Sequence, residues 1–183
     1  MTYGGVIMDK EKLYSILVQH AIEENYIEVR MEREILNCIP IIINNDMAMI
    51  LRFFDFMPDG YTIIPMSQVL EIKYSESCKF FENIVKNEGI TSFLSGAPEI
   101  EIISWEKVFS FFKKTKEIVI AEIGKEDSIN IGRVVKVTKE NLFMQCFSPV
   151  GIWDEMEWAE PFINITSITF RNHYTNIFSK YLQ

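Results

Sequence analysis

Histidine and cysteine are the residues most often used for nucleophilic or metal chemistry, and this sequence places them far apart. The two histidines, His20 and His173, adjoin no nucleophile motif such as G-x-S-x-G. The three cysteines, Cys38, Cys78 and Cys146, never stand in the C-x-x-C spacing of a zinc site or redox pair. We therefore predict reduced, buried thiols and no catalytic residue, metal site or cofactor.

Paired carboxylates are the other residues that could do acid–base work. Glu32 with Glu34, and Glu99 with Glu101, stand two residues apart, so in a strand each pair would point to one face. Solvated strand faces also explain such pairs. His20 falls on the apolar side of a predicted helix, where a packed histidine is the usual case. An enzyme with a site assembled from residues distant in sequence remains an alternative.

The stretch from Glu140 to Phe170 is acidic and aromatic. It contains five acids and no lysine or arginine, a net charge of −5. Aromatic anchors and charge steering are typical of protein interfaces, so the stretch could bind a basic protein. The predicted partner-binding residues are Trp153, Asp154, Glu155, Glu157 and Trp158. The alternative is that the tryptophans fill the core while the acids face water.

The overall charge disfavours nucleic acid as the partner. The net charge is −8, of which −6 lies in residues 1–92 and −2 in residues 93–183, whereas a nucleic-acid binder needs a positive footprint. No apolar run approaches the length of a membrane span. The N-terminus lacks a basic region and meets Asp9 almost at once, so we expect no signal peptide and a cytoplasmic protein.

Apolar periodicity predicts an α+β, β-rich fold in which the two halves of the chain repeat the same order of helices and strands. Helices are predicted over 9–24, 75–86, 104–116 and 174–182, with Asp9 and Ser104 as N-caps. Strands are predicted over 26–34, 39–43, 47–53, 61–65 and 69–74, then 99–103, 118–123, 129–137, 142–147, 152–157 and 162–170. Pro58-Asp59-Gly60 is a predicted turn. The domains are 1–88, a connector 89–103 and 104–183.

Two local patterns predict bent strands. The apolar phase shifts between Ile163/Ile165 and Ile168/Phe170, which a period-2 strand accommodates only with a bulge or bend. Gly132, without a Cβ, allows a sharp curve in an otherwise apolar strand.

A helix followed by five bent antiparallel strands resembles the Sm-like small barrel, a relative of SH3-like barrels. Ile131-Gly132-Arg133-Val134 is similar to the opening of the first Sm motif, and Pro40 stands where the first half should have its glycine. The resemblance implies two tandem small bent antiparallel barrels, each flanked by helices. The RNA-binding part of the motif is missing, because Ala159-Glu160-Pro161-Phe162 replaces the expected Arg-Gly or Lys-Gly pair.

The functional expectation is a non-enzymatic protein-binding protein. Duplicated small barrels also resemble uncharacterised bacterial accessory proteins, among them immunity proteins thought to neutralise toxins, and this suggests a sharper version of the same role. An Sm-like RNA-binding protein is the first alternative, and an enzyme is the second. The sequence does not set the oligomeric state.

Overall fold

The computed structural model describes residues 9–124 and 128–183, so residues 1–8, on which the expectation of no signal peptide partly rests, lie outside the described part. The helices are Lys10–Ile22 (α1), Glu76–Asn87 (α2), Trp105–Thr115 (α3) and His173–Phe178 (α4). The strands are Ile27–Arg30 (β1), Ile35–Ile43 (β2), Met47–Phe54 (β3), Met57–Pro65 (β4), Glu71–Lys73 (β5), Ile118–Ile123 (β6), Ser128–Val137 (β7), Asn141–Cys146 (β8), Trp158–Pro161 (β9) and Ile165–Phe170 (β10). None of the described helices is long and apolar enough to cross a membrane.

Polar residues at the helix N-termini explain where three of the helices begin. Ser75 accepts a hydrogen bond from the backbone N–H of Cys78 at the start of α2, and Ser104 accepts one from Lys107 at the start of α3. Asn172 does the same for α4. The predicted cap Ser104 is therefore confirmed. Asp9 precedes α1 but makes no side-chain capping bond.

The α+β, β-rich prediction is confirmed, with all ten strands in one antiparallel sheet. The strand order is β5-β1-β2-β3-β4-β10-β6-β7-β8-β9. The sheet is open and ends at β5 and β9. The two halves of the chain meet where β10 pairs with β4, and there the hydroxyls of Thr62 and Thr169 are hydrogen-bonded in the buried interior.

The halves follow the same order of elements. Each has a helix, four strands, a 3₁₀ turn, a fifth strand paired back to the first, and a second helix. Pro65 and Pro161 precede the 3₁₀ turns Met66–Gln68 and Phe162–Asn164 with almost the same dihedral angles, φ −68° and ψ 138° against φ −63° and ψ 137°. Val69 and Ile165 follow the two turns, also in matching conformations.

The pairing registers make the correspondence residue by residue. Ile27 pairs with Cys38 in the first half, as Val119 pairs with Gly132 in the second. Cys38 is therefore the counterpart of Gly132, and the expectation that Pro40 fills that position was wrong. The Cβ of Cys38 is accommodated, whereas a Cβ on Gly132 would collide with the Gln145 backbone oxygen and lie 2.8 Å from Cys146 Cα.

The bulge predicted from the apolar phase shift is confirmed. The register between β10 and β6 shifts between Ile165 and Ser167. Ile165, Ile168 and Phe170 are all buried, but Ile163 lies in the 3₁₀ turn and is 88% exposed. The phase shift therefore marks the end of a turn as well as the bulge.

Several predicted boundaries were wrong. Pro58-Asp59-Gly60 lies inside β4, and the chain reverses at Asp55 and Phe56, where Asp55 has a positive φ of 52°. Residues 152–157 and 99–103 form no strand; the nearest strand to 152–157 is the short β9. The connector contains the 3₁₀ helix Ile90–Gly96.

Two apolar clusters form the core. The smaller one lies between α1 and the first-half strands and includes Leu17, Ile27 and Ile50. The larger one joins the halves, because Val85 of α2, Ile100 of the connector and Phe109 of α3 belong to it together.

Candidate functional site

The loop between β8 and β9 holds most of the predicted partner-binding residues and is fixed to the fold at several points. Ser148 N–H donates to the Ile152 carbonyl, and Asp154 N–H donates to the Cys146 carbonyl. From the end of the chain, Gln183 N–H donates to the Gly151 carbonyl. An isolated bridge joins Phe147 and Trp153. The loop is therefore ordered before any partner binds.

Trp153 is half-buried between side chains of the second half. The Arg133 guanidinium lies 4.4 Å from the centre of its ring, and Phe147 meets it edge-on at 5.6 Å. Arg133 is held in turn by two hydrogen bonds to Gln145 Oε1. Trp153 thus anchors the loop and exposes only part of its ring.

Trp158 has a different environment from Trp153. It begins β9, pairs with Met144, and packs against the larger core cluster while staying partly exposed. Each tryptophan is therefore partly buried, as the alternative expected, and partly exposed, as a binding residue would be.

The three acids of the predicted site are exposed. Asp154, Glu155 and Glu157 form no ion pair with any described residue, and exposed Ile152 and Met156 lie among them. Exposed apolar side chains rimmed by polar or charged residues mark interaction sites on many proteins. We call residues 152–158 the acidic loop.

The corresponding turn in the first half has a similar character. Phe54 pairs with Met57 across the β3–β4 turn, and both side chains are mostly exposed around Asp55. Phe56 packs edge-on against Phe81 of α2. The turn is shorter than the acidic loop and carries one acid at its tip.

A second acidic site lies in a cleft where the halves meet. Glu34 is close to Glu122 and 3.5 Å from the Arg52 guanidinium. Burial and the neighbouring Glu122 raise the pKa of Glu34. The adjoining cavity, lined in part by Gly124 and Thr166, has a volume of about 40 Å³, enough for water-sized molecules only.

Among the side chains that could take part in catalysis or metal binding, His20 and the three cysteines are packed into the fold. His20 Nδ1 is hydrogen-bonded to the Asn25 side-chain amide, its ring lies tilted 5.1 Å from that of Tyr74, and burial lowers its pKa. Burial raises the pKa of Cys38 well above its usual range and that of Cys146 to about 11. No group of three or more metal-ligating side chains was found among residues 9–124 and 128–183.

Sequence reasoning missed Arg133 and Gln145, which support Trp153 from the neighbouring strands. The available signal was the lone arginine in the apolar run Ile129–Val137. It could not be paired with Trp153 from sequence, because the contact depends on the path of the loop.

Comparison with known proteins gives no relative: no family model, curated protein or solved structure matches the chain.

Proposed function

We propose that this protein binds another protein, one with a basic surface, through the acidic loop and the adjoining residues of β9. The observation that carries the proposal is the exposure of Asp154, Glu155 and Glu157, without ion-pair partners in the described chain, on a loop that is already ordered. Preorganisation lowers the entropy lost on binding, and unpaired carboxylates attract cations during the encounter.

The half-buried tryptophans support the same proposal. Trp158 presents an apolar edge next to Glu157, and Met156 is 81% exposed. Large apolar side chains flanked by charge supply most of the binding energy in many interfaces. Trp153 positions the loop, because Arg133 and Phe147 already occupy parts of its ring surface.

Each half is further proposed to be a small bent barrel of the Sm-like kind, built twice and joined edge to edge. The repeated element order, the matching 3₁₀ turns and the clash that a Cβ would cause at Gly132 support this proposal. We assign the protein to the cytoplasm, since its three cysteines are free thiols.

The test is affinity capture from native cell extract, with and without nuclease, comparing the wild type with Glu155→Lys/Glu157→Lys. The matched control is Glu88→Lys/Glu99→Lys, which makes the same charge change at exposed sites away from the loop. Circular dichroism checks that each variant folds.

A protein retained by the wild type and the control, but lost by the loop variant, supports the proposal, and its identity would show whether it is a toxin. Equal capture by all three proteins would contradict it. RNA that nuclease releases would favour the Sm-like RNA-binding alternative instead.

A further inference from the structure

The outer edge of β9 is unpaired, whereas the corresponding edge in the first half is occupied. Within the described residues β9 pairs only with β8, at one end of the sheet. Its counterpart β4 pairs with β3 on one side and β10 on the other. The pairing of β10 with β4 therefore shows how an added strand can occupy the edge that is open on β9.

The hydrogen-bond alternation shows which backbone groups face outward. Phe162 N–H donates to the Glu140 carbonyl at 2.8 Å, so by antiparallel alternation Glu160 and Trp158 bond to β8 and Ala159 directs its N–H and C=O to the open edge. Ile63, the counterpart of Ala159, uses its outward side to pair with Ile168 of β10.

The side chains along this edge define what an added strand would meet. Trp158 and Glu160 face the core, so Ala159 and the preceding Glu157 belong to the opposite face. An added residue opposite Ala159 would lie on that face near Phe143, the cross-strand neighbour of Ala159. Two residues further along, an added side chain would come opposite Glu157, the residue immediately before β9.

From this edge and its charge we infer that an extended, basic segment of the partner protein adds to the sheet as a strand antiparallel to β9. The inference rests on the proposed function and specifies how the partner binds. The segment carries an apolar residue opposite Ala159 and a lysine or arginine two positions later, opposite Glu157. Main-chain hydrogen bonds provide affinity and the two side chains provide specificity.

A partner segment fits this edge better than a second copy of the chain. At the internal junction Ile168 of β10 lies opposite Ile63, and Phe170 lies opposite Tyr61. The strand β5 of a second copy, aligned on β9 in the same way, would place Ile72 opposite Ala159 and Tyr74 opposite Glu157. No cation would then face Glu157, whereas a segment with a lysine or arginine at that position supplies one.

The probe is the peptide acetyl-STITKTKT-amide, titrated to several millimolar into the ¹⁵N-labelled full chain. Its isoleucine is placed opposite Ala159 and its first lysine opposite Glu157. We expect saturable amide shifts at Ala159 and Glu157 and slowed hydrogen exchange of the Ala159 N–H. Replacing both lysines with glutamate should abolish the shifts.

Two variants at one position separate strand addition from simple charge attraction. Ala159→Pro removes the outward N–H at an edge position where proline is tolerated, and should weaken peptide binding about tenfold or more. Ala159→Thr keeps the N–H and should bind as the wild type does. Equal binding by Ala159→Pro, or shifts that leave Ala159 unaffected, would overturn the inference.

The captured partner distinguishes this inference from the proposed function. Loss of capture in Glu155→Lys/Glu157→Lys but not in Ala159→Pro would leave the proposed function intact and remove strand addition. If Glu155→Lys/Glu157→Lys and Ala159→Pro both still capture the partner, the proposed function and strand addition are both contradicted. Sedimentation that shows a dimer dissolved by Ala159→Pro would make a second copy the occupant and overturn our choice of partner.

Discussion

Gly132→Ala should destabilise the protein strongly, although alanine is the smallest possible addition. The new Cβ would collide with the Gln145 carbonyl oxygen and lie 2.8 Å from Cys146 Cα. Both are backbone atoms of β8, paired with β7 at this point, so they cannot rotate away. Overpacking costs about 1–3 kcal/mol, and we expect the upper end of that range.

For a chain of this size, about 3 kcal/mol corresponds to a fall in Tm of roughly 6–12 °C. Urea unfolding followed by tryptophan fluorescence gives the free energy of unfolding, since Trp153 and Trp158 lie in the affected half. The matched control is Gly96→Ala, where the nearest atom to the added Cβ is Tyr61 Oη at 3.7 Å.

Gly96→Ala should leave stability unchanged or raise it by up to about 1 kcal/mol, because alanine restricts the unfolded chain. A Gly132→Ala protein within about 0.5 kcal/mol of the wild type would refute the reasoning. It would mean that β7 and β8 can separate at this point at little cost, and that the bend does not depend on glycine.

Three further perturbations follow from the contacts of single side chains. Ser104→Ala removes the N-cap of α3 and should cost about 1 kcal/mol in urea unfolding. Because burial and Glu122 raise the pKa of Glu34 above its usual 4.5, the folded state holds that proton to higher pH than the unfolded chain. Stability should therefore fall as pH rises above 4.5, and Glu122→Gln should reduce that fall; identical pH profiles would contradict this. Arg133→Ala exposes Trp153, so its fluorescence should shift to the red and stability should fall by about 0.5–1 kcal/mol, while an unchanged spectrum would show that the stacking does not hold the loop.

The helices were the most predictable part of the fold because their signals are local. Ser75 and Ser104 cap the helices that they precede, and the apolar spacing after each serine matches the buried face. The bulge in β10 could also be predicted from the sequence, because a strand accommodates a shift of apolar phase only with a bulge or bend. The pairing of β10 with β4 could not be predicted from the sequence, because it joins residues about a hundred positions apart.

The acidic loop shows where local patterns fail. Alternating residues in 152–157 predicted a strand, but the β8–β9 connection is held by Trp153 on Arg133 and by the final residues of the chain. Those contacts are tertiary and override β propensity. The exposure of Asp154, Glu155 and Glu157 agrees with their chemistry, whereas the half-burial of both tryptophans depended on neighbours that the sequence could not identify.

The place of β10 between β4 and β6 has a consequence for biosynthesis. A chain emerging from the ribosome completes β1 to β4 long before residues 165–170 are made, so the outer edge of β4 has no partner from its own chain during most of synthesis. An unpaired edge is a template for association with other chains. Slow translation of the second half, or premature termination before Ile165, would prolong that state, and nascent chains would then depend on chaperones at this edge.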